Sequence, residues 1–291
     1  MRKSIFDIVS ENVDIKSEVR RIHQVANVEK TLCVDDYMYR TIFKFVDEYC
    51  FEEWDHRGHF INVDDFLQAL DFKNLITQAQ RDSESLLTFI ELVYNFWNLC
   101  DQKFYDKEKG FKLEWCGNFF HLRDIMDDVL EQYNHTVFTN EEKDYILVVE
   151  NKEEVTAVAE ILPAKLAFDA IKYNHRSLQG EIELKKSILI SLGAELEPKR
   201  KDLQVLNKQL SEDIFFMLNN INIRHNNRSK RDKSKYKEYV AKMTKRQLEK
   251  WFDELYQMIL LAFLLLDNVD RTTKVKELKG KIVGGSRNEQ A

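Results

Sequence analysis

The chain reads as an all-α protein, and three observations carry that reading. Only 8 Gly and 2 Pro punctuate 291 residues, whereas a β-rich chain needs a turn signal at nearly every strand. Apolar residues recur at three- and four-residue spacing over most of the sequence. Hydrophobic residues make up 44% and aromatics 12%, enough for a substantial core and against wholesale disorder. The length suits one large domain or two ordinary ones.

In order, residues 1–31 place Ile5, Ile8, Val9, Val13, Ile15, Val19 and Ile22 at helical spacing, which predicts one or two amphipathic helices. The stretch 35–54 repeats the pattern with Tyr39, Ile42, Phe43, Phe45, Val46, Tyr49 and Cys50. A turn is expected at Gly58, after which Asn62 caps a helix near 63–80 with Asp64 and Asp65 in its first turn. Asp82 caps the next, 86–104; a charged loop with Gly110 follows, and 113–133 is read as a helix. Residues 1–135 thus form a helical N-terminal domain of unassigned role. Thr139-Asn140-Glu141-Glu142 fits a capping box, yet Tyr145–Val149 is a β-branched run that suits a short strand. The reading therefore leaves room for a strand or hairpin near 145–160, with 136–163 as a linker or short extended segment.

From 164 to 283 the helices lengthen into a bundle. Residues 164–175 form one helix; 180–197 and 198–222 form one rod kinked at Pro198, or two helices with Pro198 in the second's first turn. Leu184, Ile188, Leu192 and Leu196, then Leu203, Leu206, Leu210, Ile214 and Leu218, are expected as bundle core. Thr244-Lys-Arg-Gln247 is a capping box opening a last helix, 248–269. Because Met258–Leu266 is apolar all round, that helix must be covered by its own bundle or by a second subunit. Residues 284–291 read as a disordered tail.

The net charge of −6 conceals an uneven distribution: residues 224–250 carry 11 Lys+Arg against 3 Asp+Glu, a local balance of +8, on an otherwise acidic chain. Such a segment points to a polyanionic partner, or to a solvated loop facing the protein's own acids. Cys33, Cys50, Cys100 and Cys116 are isolated in apolar surroundings, where free thiols behave as small hydrophobes. No secretory leader pattern is seen, and the longest apolar run is about half the ~20 residues a bilayer crossing needs. The expectation is a cytoplasmic protein with no membrane association.

His56 and His59, with Cys50 and Asp55 nearby, could share a metal. Gly58 inside the motif and the lack of a second ligand pair favour an ordinary polar loop. Cys116 and His121 lie five apart, off a common helix face. The acid pairs Asp35-Asp36, Asp64-Asp65 and Asp127-Asp128 read as solvated surface, and no phosphate-cradling glycine loop occurs. Neither metal nor cofactor is expected. What remains is Arg224-His225-Asn226-Asn227. Arg can clamp a phosphate, His can move a proton in attack by an RNA 2′-hydroxyl, and Asn can hold a backbone oxygen. The same residues can simply cap a helix end, with Arg224 and His225 facing its negative pole.

Residues 164–282 resemble the HEPN superfamily of small helical bundles found in toxins and antiviral abortive-infection systems. Arg224 matches the family's Arg, His225 the polar residue after it, and the flanking long and apolar helices also fit. The family's second His would fall at 229–231, where this chain has Ser229, Lys230 and Arg231. Either His225 takes that role, or the domain is a non-catalytic member. The resemblance implies RNA as partner, metal-independent endoribonuclease chemistry and a homodimer formed through the C-terminal helices. In that reading Arg224 holds the scissile phosphate and His225 moves the proton, while Asn226 and Asn227 position the backbone. Arg228, Lys230, Arg231, Lys233 and Lys235 bind flanking phosphates. The rival reading is a helical interaction module whose basic loop docks an acidic protein partner.

Overall fold

A computed structural model describes residues 14–140, 145–231 and 233–285. The chain is mostly helical, with two small sheets, and divides into two compact units, 1–151 and 152–291. Among the described residues no helix is long and apolar enough to cross a membrane.

The first unit opens with α1 (Ile15–His23), which continues as one π-helical turn over Gln24–Val28; Ile5, Ile8, Val9 and Val13 lie outside the described residues. The wholly helical expectation for this half is corrected by a three-stranded antiparallel sheet. Strands β1 (Leu32–Val34), β2 (Met38–Arg40) and β3 (Leu113–Trp115) lie in the order β2-β1-β3. The Asp35-Asp36 pair is the turn between β1 and β2: both residues have positive φ, 51° and 67°, a conformation Asp tolerates and tight hairpins require. The Asp35 carboxylate accepts from the Lys112 amide at 2.9 Å and Asp36 pairs with the Lys112 ammonium at 2.7 Å. Residues 113–133, expected as one helix, begin instead as β3; Gly117 turns the chain at φ 59° before a helix starts at Phe119.

Helix α2 (Ile42–Tyr49) is capped by Thr41, and α3 (Val63–Ala69) by Asn62, whose Oδ1 accepts from the Asp65 amide at 2.8 Å. The helix expected over 63–80 is broken by Asp71 at φ 50°, and α4 (Phe72–Ala79) follows. Asp82 caps α5 (Ser83–Tyr105) through the Ser85 amide at 2.8 Å. Helix α6 (Phe119–Gln132) leads into a hairpin of β4 (His135–Asn140) and β5 (Tyr145–Glu150). Residues 141–144, including Glu141 and Glu142 of the proposed capping box, lie outside the described residues, while Thr139 and Asn140 end strand β4. Asn95 of α5 docks the hairpin by donating to the Ile146 carbonyl and accepting from its amide, both at 2.9 Å. The stretch read as a linker or short extended segment holds this hairpin and then a helix, Glu153–Ala159, and the boundary between the units falls at 151/152.

In the second unit, α7 (Glu153–Ala159) and α8 (Ala164–Tyr173) lead to α9 (Ile182–Leu196). Pro198 sits in a 3-10 turn, Glu197–Lys199, before α10 (Arg200–Leu206). The chain breaks again at Asn207, whose Oδ1 caps α11 (Lys208–Asn220) through the Leu210 amide at 3.0 Å. That break shifts the helical phase, so Leu206 is 44% exposed, unlike Leu203, Leu210, Ile214 and Leu218. Leu184 is likewise 51% exposed and Lys185 takes the inward position. A short helix, α12 (Glu238–Lys242), precedes α13 (Lys245–Gly285). The Thr244–Gln247 capping box forms in both directions, at 3.2 and 2.9 Å. Leu248, Phe252, Leu255, Tyr256, Ile259 and Phe263 bury one face of α13. The helix runs past the expected end at 269 to Gly285; residues 286–291 lie outside the described residues.

Candidate functional site

The polar knot after α11 is a closed loop. Asn222 adopts φ 70° and the Arg224 amide returns to the Leu218 carbonyl at 2.9 Å, a left-handed helix ending that Asn accommodates. Asn227 is fully buried. Its Oδ1 accepts from the Asn222 amide at 2.8 Å, its Nδ2 donates to the Lys235 carbonyl at 2.7 Å, and its own carbonyl accepts from the Lys237 amide at 2.8 Å. One residue, through its side chain and its carbonyl, thereby ties together both ends of the segment 222–237.

Arg224 also points inward. Its guanidinium pairs with Glu197 at 2.5 Å, donates to the Gly193 carbonyl at 3.2 Å and lies 5.6 Å from the Phe215 ring centre. A Cβ at Gly193 would meet Leu218 Cδ1 at 2.9 Å, so glycine lets α9 and α11 approach where Arg224 reaches across. His225 is half-buried and Asn226 exposed. The four residues of the sequence motif are therefore neighbours on one loop, but Arg224 and Asn227 are engaged in holding that loop.

The basic residues Arg228, Lys230, Arg231, Lys233 and Lys235 are all exposed. Arg228 donates to the Met243 carbonyl at 3.1 Å, anchoring the segment beside α12. Lys230 lies 5.8 Å from the ring centre of Tyr236. Among the described residues, none of these five has a carboxylate within ion-pair distance, so their charge is directed to solvent.

Directly beside this segment is a cleft that the sequence reading missed. It has a volume of about 340 Å³ and an apolar floor of Met217, Ile221, Val240 and Met243. Phe216, Tyr239 and Trp251 line it while 63%, 75% and 45% exposed. Lys237 stands at its edge, and an adjoining hollow of about 610 Å³ adds Lys242 and Lys250, with Glu254 as the nearby acid. Lys242 is paired with Glu238 at 2.6 Å. A signal was present in the helical phase. Trp251 falls off the buried stripe Leu248-Phe252-Leu255-Ile259, and Phe216 off Leu210-Ile214-Leu218.

A second group the sequence did not reveal lies in the unit's interior. Lys185 is 6% exposed, and its ammonium pairs with Glu249 and Asp253, each at 2.8 Å. Asp253 also accepts from the Tyr173 hydroxyl at 3.0 Å. Burial and the Asp253 charge raise the Tyr173 phenol well above its ordinary range. Burial opposes ionisation of Glu249, but Lys185 and the Gly180 amide outweigh it and hold the carboxyl below the usual value. The cluster clamps α8, α9 and α13 together. No group of three or more His, Cys, Asp or Glu that could hold a metal ion occurs among the described residues.

Comparison with family models, curated proteins and solved structures finds no match to the chain.

Proposed function

We propose that the second unit binds single-stranded RNA. The carrying observation is the open cleft in which Phe216, Tyr239 and Trp251 stay exposed among lysines. Exposed rings offer stacking faces to unpaired bases, worth about 1–3 kcal/mol per base, and any base has such a face. The adjoining segment from Arg228 to Lys237 supplies exposed cations for the phosphates of the same strand. Duplex RNA hides its base faces, so single strands are preferred.

This reading accords with the HEPN-like resemblance in its partner and is a reading of binding. The internal partners of Arg224 and Asn227 favour a loop-holding role for both over contact with a scissile phosphate. Any cleavage would fall to His225, which is half-exposed at the loop.

The test is fluorescence anisotropy at low salt with a labelled single-stranded RNA and its duplex. Wild type should bind the single strand more tightly, and Tyr239→Ala/Trp251→Ala should weaken binding at least tenfold. Equal affinity of wild type and variant would remove the cleft from the account, and no binding at all would favour a protein partner. Incubation of wild type and His225→Ala with RNA and EDTA settles the chemistry. Intact RNA throughout leaves a binding module, whereas cleavage lost in a folded His225→Ala protein makes it an enzyme.

A further inference from the structure

The hollow beside the cleft contains a group that a surface built only for phosphates would lack. Tyr239 and Trp251 line both the cleft and this hollow, where Gln247, Lys250 and Glu254 join them. Gln247, Lys250, Trp251 and Glu254 follow one another along α13 at helical spacing, so they share one helix face. Glu254 is exposed and, among the described residues, makes no ion pair, although Lys250 stands one turn before it on the same face. A free carboxylate among lysines repels a passing phosphate and weakens their pull on it. What it offers in return is a pair of oxygens that only accept hydrogen bonds.

Stacking rings take any base, so groups that reach the base edges decide sequence. Among the four RNA bases, guanine alone presents two neighbouring donors on its Watson–Crick edge, N1–H and the N2 amino group. A carboxylate can accept from both at once, as it does from a guanidinium. The next atom along that edge, O6, is an acceptor that suits an ammonium such as that of Lys250. Adenine and cytosine set one amino donor beside a ring nitrogen that accepts, and uracil sets one N–H between two carbonyls. Each would turn a lone pair towards the second carboxylate oxygen.

We propose that the hollow selects guanine, which stacks on Trp251 while Glu254 accepts from its N1–H and N2 amino group and Lys250 donates to its O6. The selection rests on the single-strand reading above and narrows it to strands that carry guanine. Lys242 and Lys237, at the borders of the two hollows, are placed for the flanking phosphates.

Fluorescence anisotropy with labelled oligouridine carrying one central guanine, adenine or inosine tests it. Wild type should bind the guanine strand about fivefold or more tightly than the adenine strand, the lower end of what a bidentate base contact supplies. Inosine, which is guanine without the N2 amino group, should fall between them. Glu254→Gln should abolish or invert the guanine advantage, since an amide matches the adenine edge. The ratio of affinities is the readout, because removal of an acid favours every strand. Glu254 is exposed, so the variant should keep the wild-type circular dichroism. Equal wild-type affinity for guanine and adenine strands, or a guanine preference that survives Glu254→Gln, overturns the proposal. Inosine bound as tightly as guanine overturns the bidentate contact. Failure of every strand to bind overturns the single-strand reading itself, and the guanine assignment with it.

Discussion

In the core of the first unit aromatic rings pack on aromatic rings, while Tyr37, Tyr105 and Phe120 stay at its surface, outside any cleft like that lined by Phe216, Tyr239 and Trp251. Trp115 stacks on Phe119 with centres 3.9 Å apart, Phe104 on Trp115 at 4.9 Å, and Phe96 meets Phe43 edge-on at 5.0 Å. Its ion pairs, such as Lys112 with Asp36 and Glu114, lie among largely exposed side chains. The second unit inverts part of this arrangement. An ammonium, Lys185, lies in its interior, while Phe216, Tyr239 and Trp251 line an open cleft beside Arg228, Lys230, Arg231, Lys233 and Lys235, which among the described residues have no carboxylate within ion-pair distance. Exposed rings add nothing to folding, and uncompensated like charges oppose it. On the proposed reading, the first arrangement serves stability and the second recognition.

Substitutions that break the contrast should rank in order. Phe96→Ala removes a fully buried ring from the first unit's core and should lower unfolding free energy by about 3–5 kcal/mol in urea titration. Lys185→Ala leaves Glu249 and Asp253 facing each other. It should lower stability by about 2 kcal/mol, discounted from a fully buried pair because Asp253 is half exposed. That loss should shrink in acid. A depressed carboxyl such as Glu249 gives wild type stability that is present above the ordinary glutamate pKa and lost as pH falls through the folded value. Asn227→Ala removes two buried side-chain hydrogen bonds and should lower stability by about 2 kcal/mol while raising amide exchange across 228–237. Arg224→Ala, losing a partly exposed pair, should lower stability by about 1 kcal/mol.

The smallest effect belongs to the first unit. Burial holds His23 below its ordinary pKa, so the folded state prefers the neutral ring. Its contribution is complete above the unfolded pKa near 6.5 and is lost as pH falls towards the folded value. A His23→Gln variant should therefore lose less stability between pH 7 and 5 than wild type, as read by urea titration at each pH.

Much of the helical framework was legible because its signals are local. Asn62, Asp82 and Thr244 cap the helices they were expected to cap, and Leu248, Phe252 and Leu255 define the inner face of α13. The sheet was not legible, since β1, β2 and β3 are three residues each and depend on pairing between Cys33 and Glu114, far apart in sequence. The phase shifts at Asp71 and Asn207 were missed because single polar residues in helical runs seldom announce a break. At the site, sequence drew attention to Arg224 and Asn227, whose partners Gly193, Glu197 and Lys235 only folding reveals. It overlooked Trp251 because a tryptophan in a hydrophobic helix is read as core until the helical phase is set against its neighbours.

The most direct test of the central claim is the salt dependence of single-stranded RNA binding by wild type and a Lys230→Glu/Lys233→Glu variant. If the basic segment neutralises phosphates, affinity should fall linearly with salt on logarithmic axes. The variant should bind more weakly at low salt with a slope shallower by about 1–2. Identical slopes and affinities in the two proteins would contradict the account.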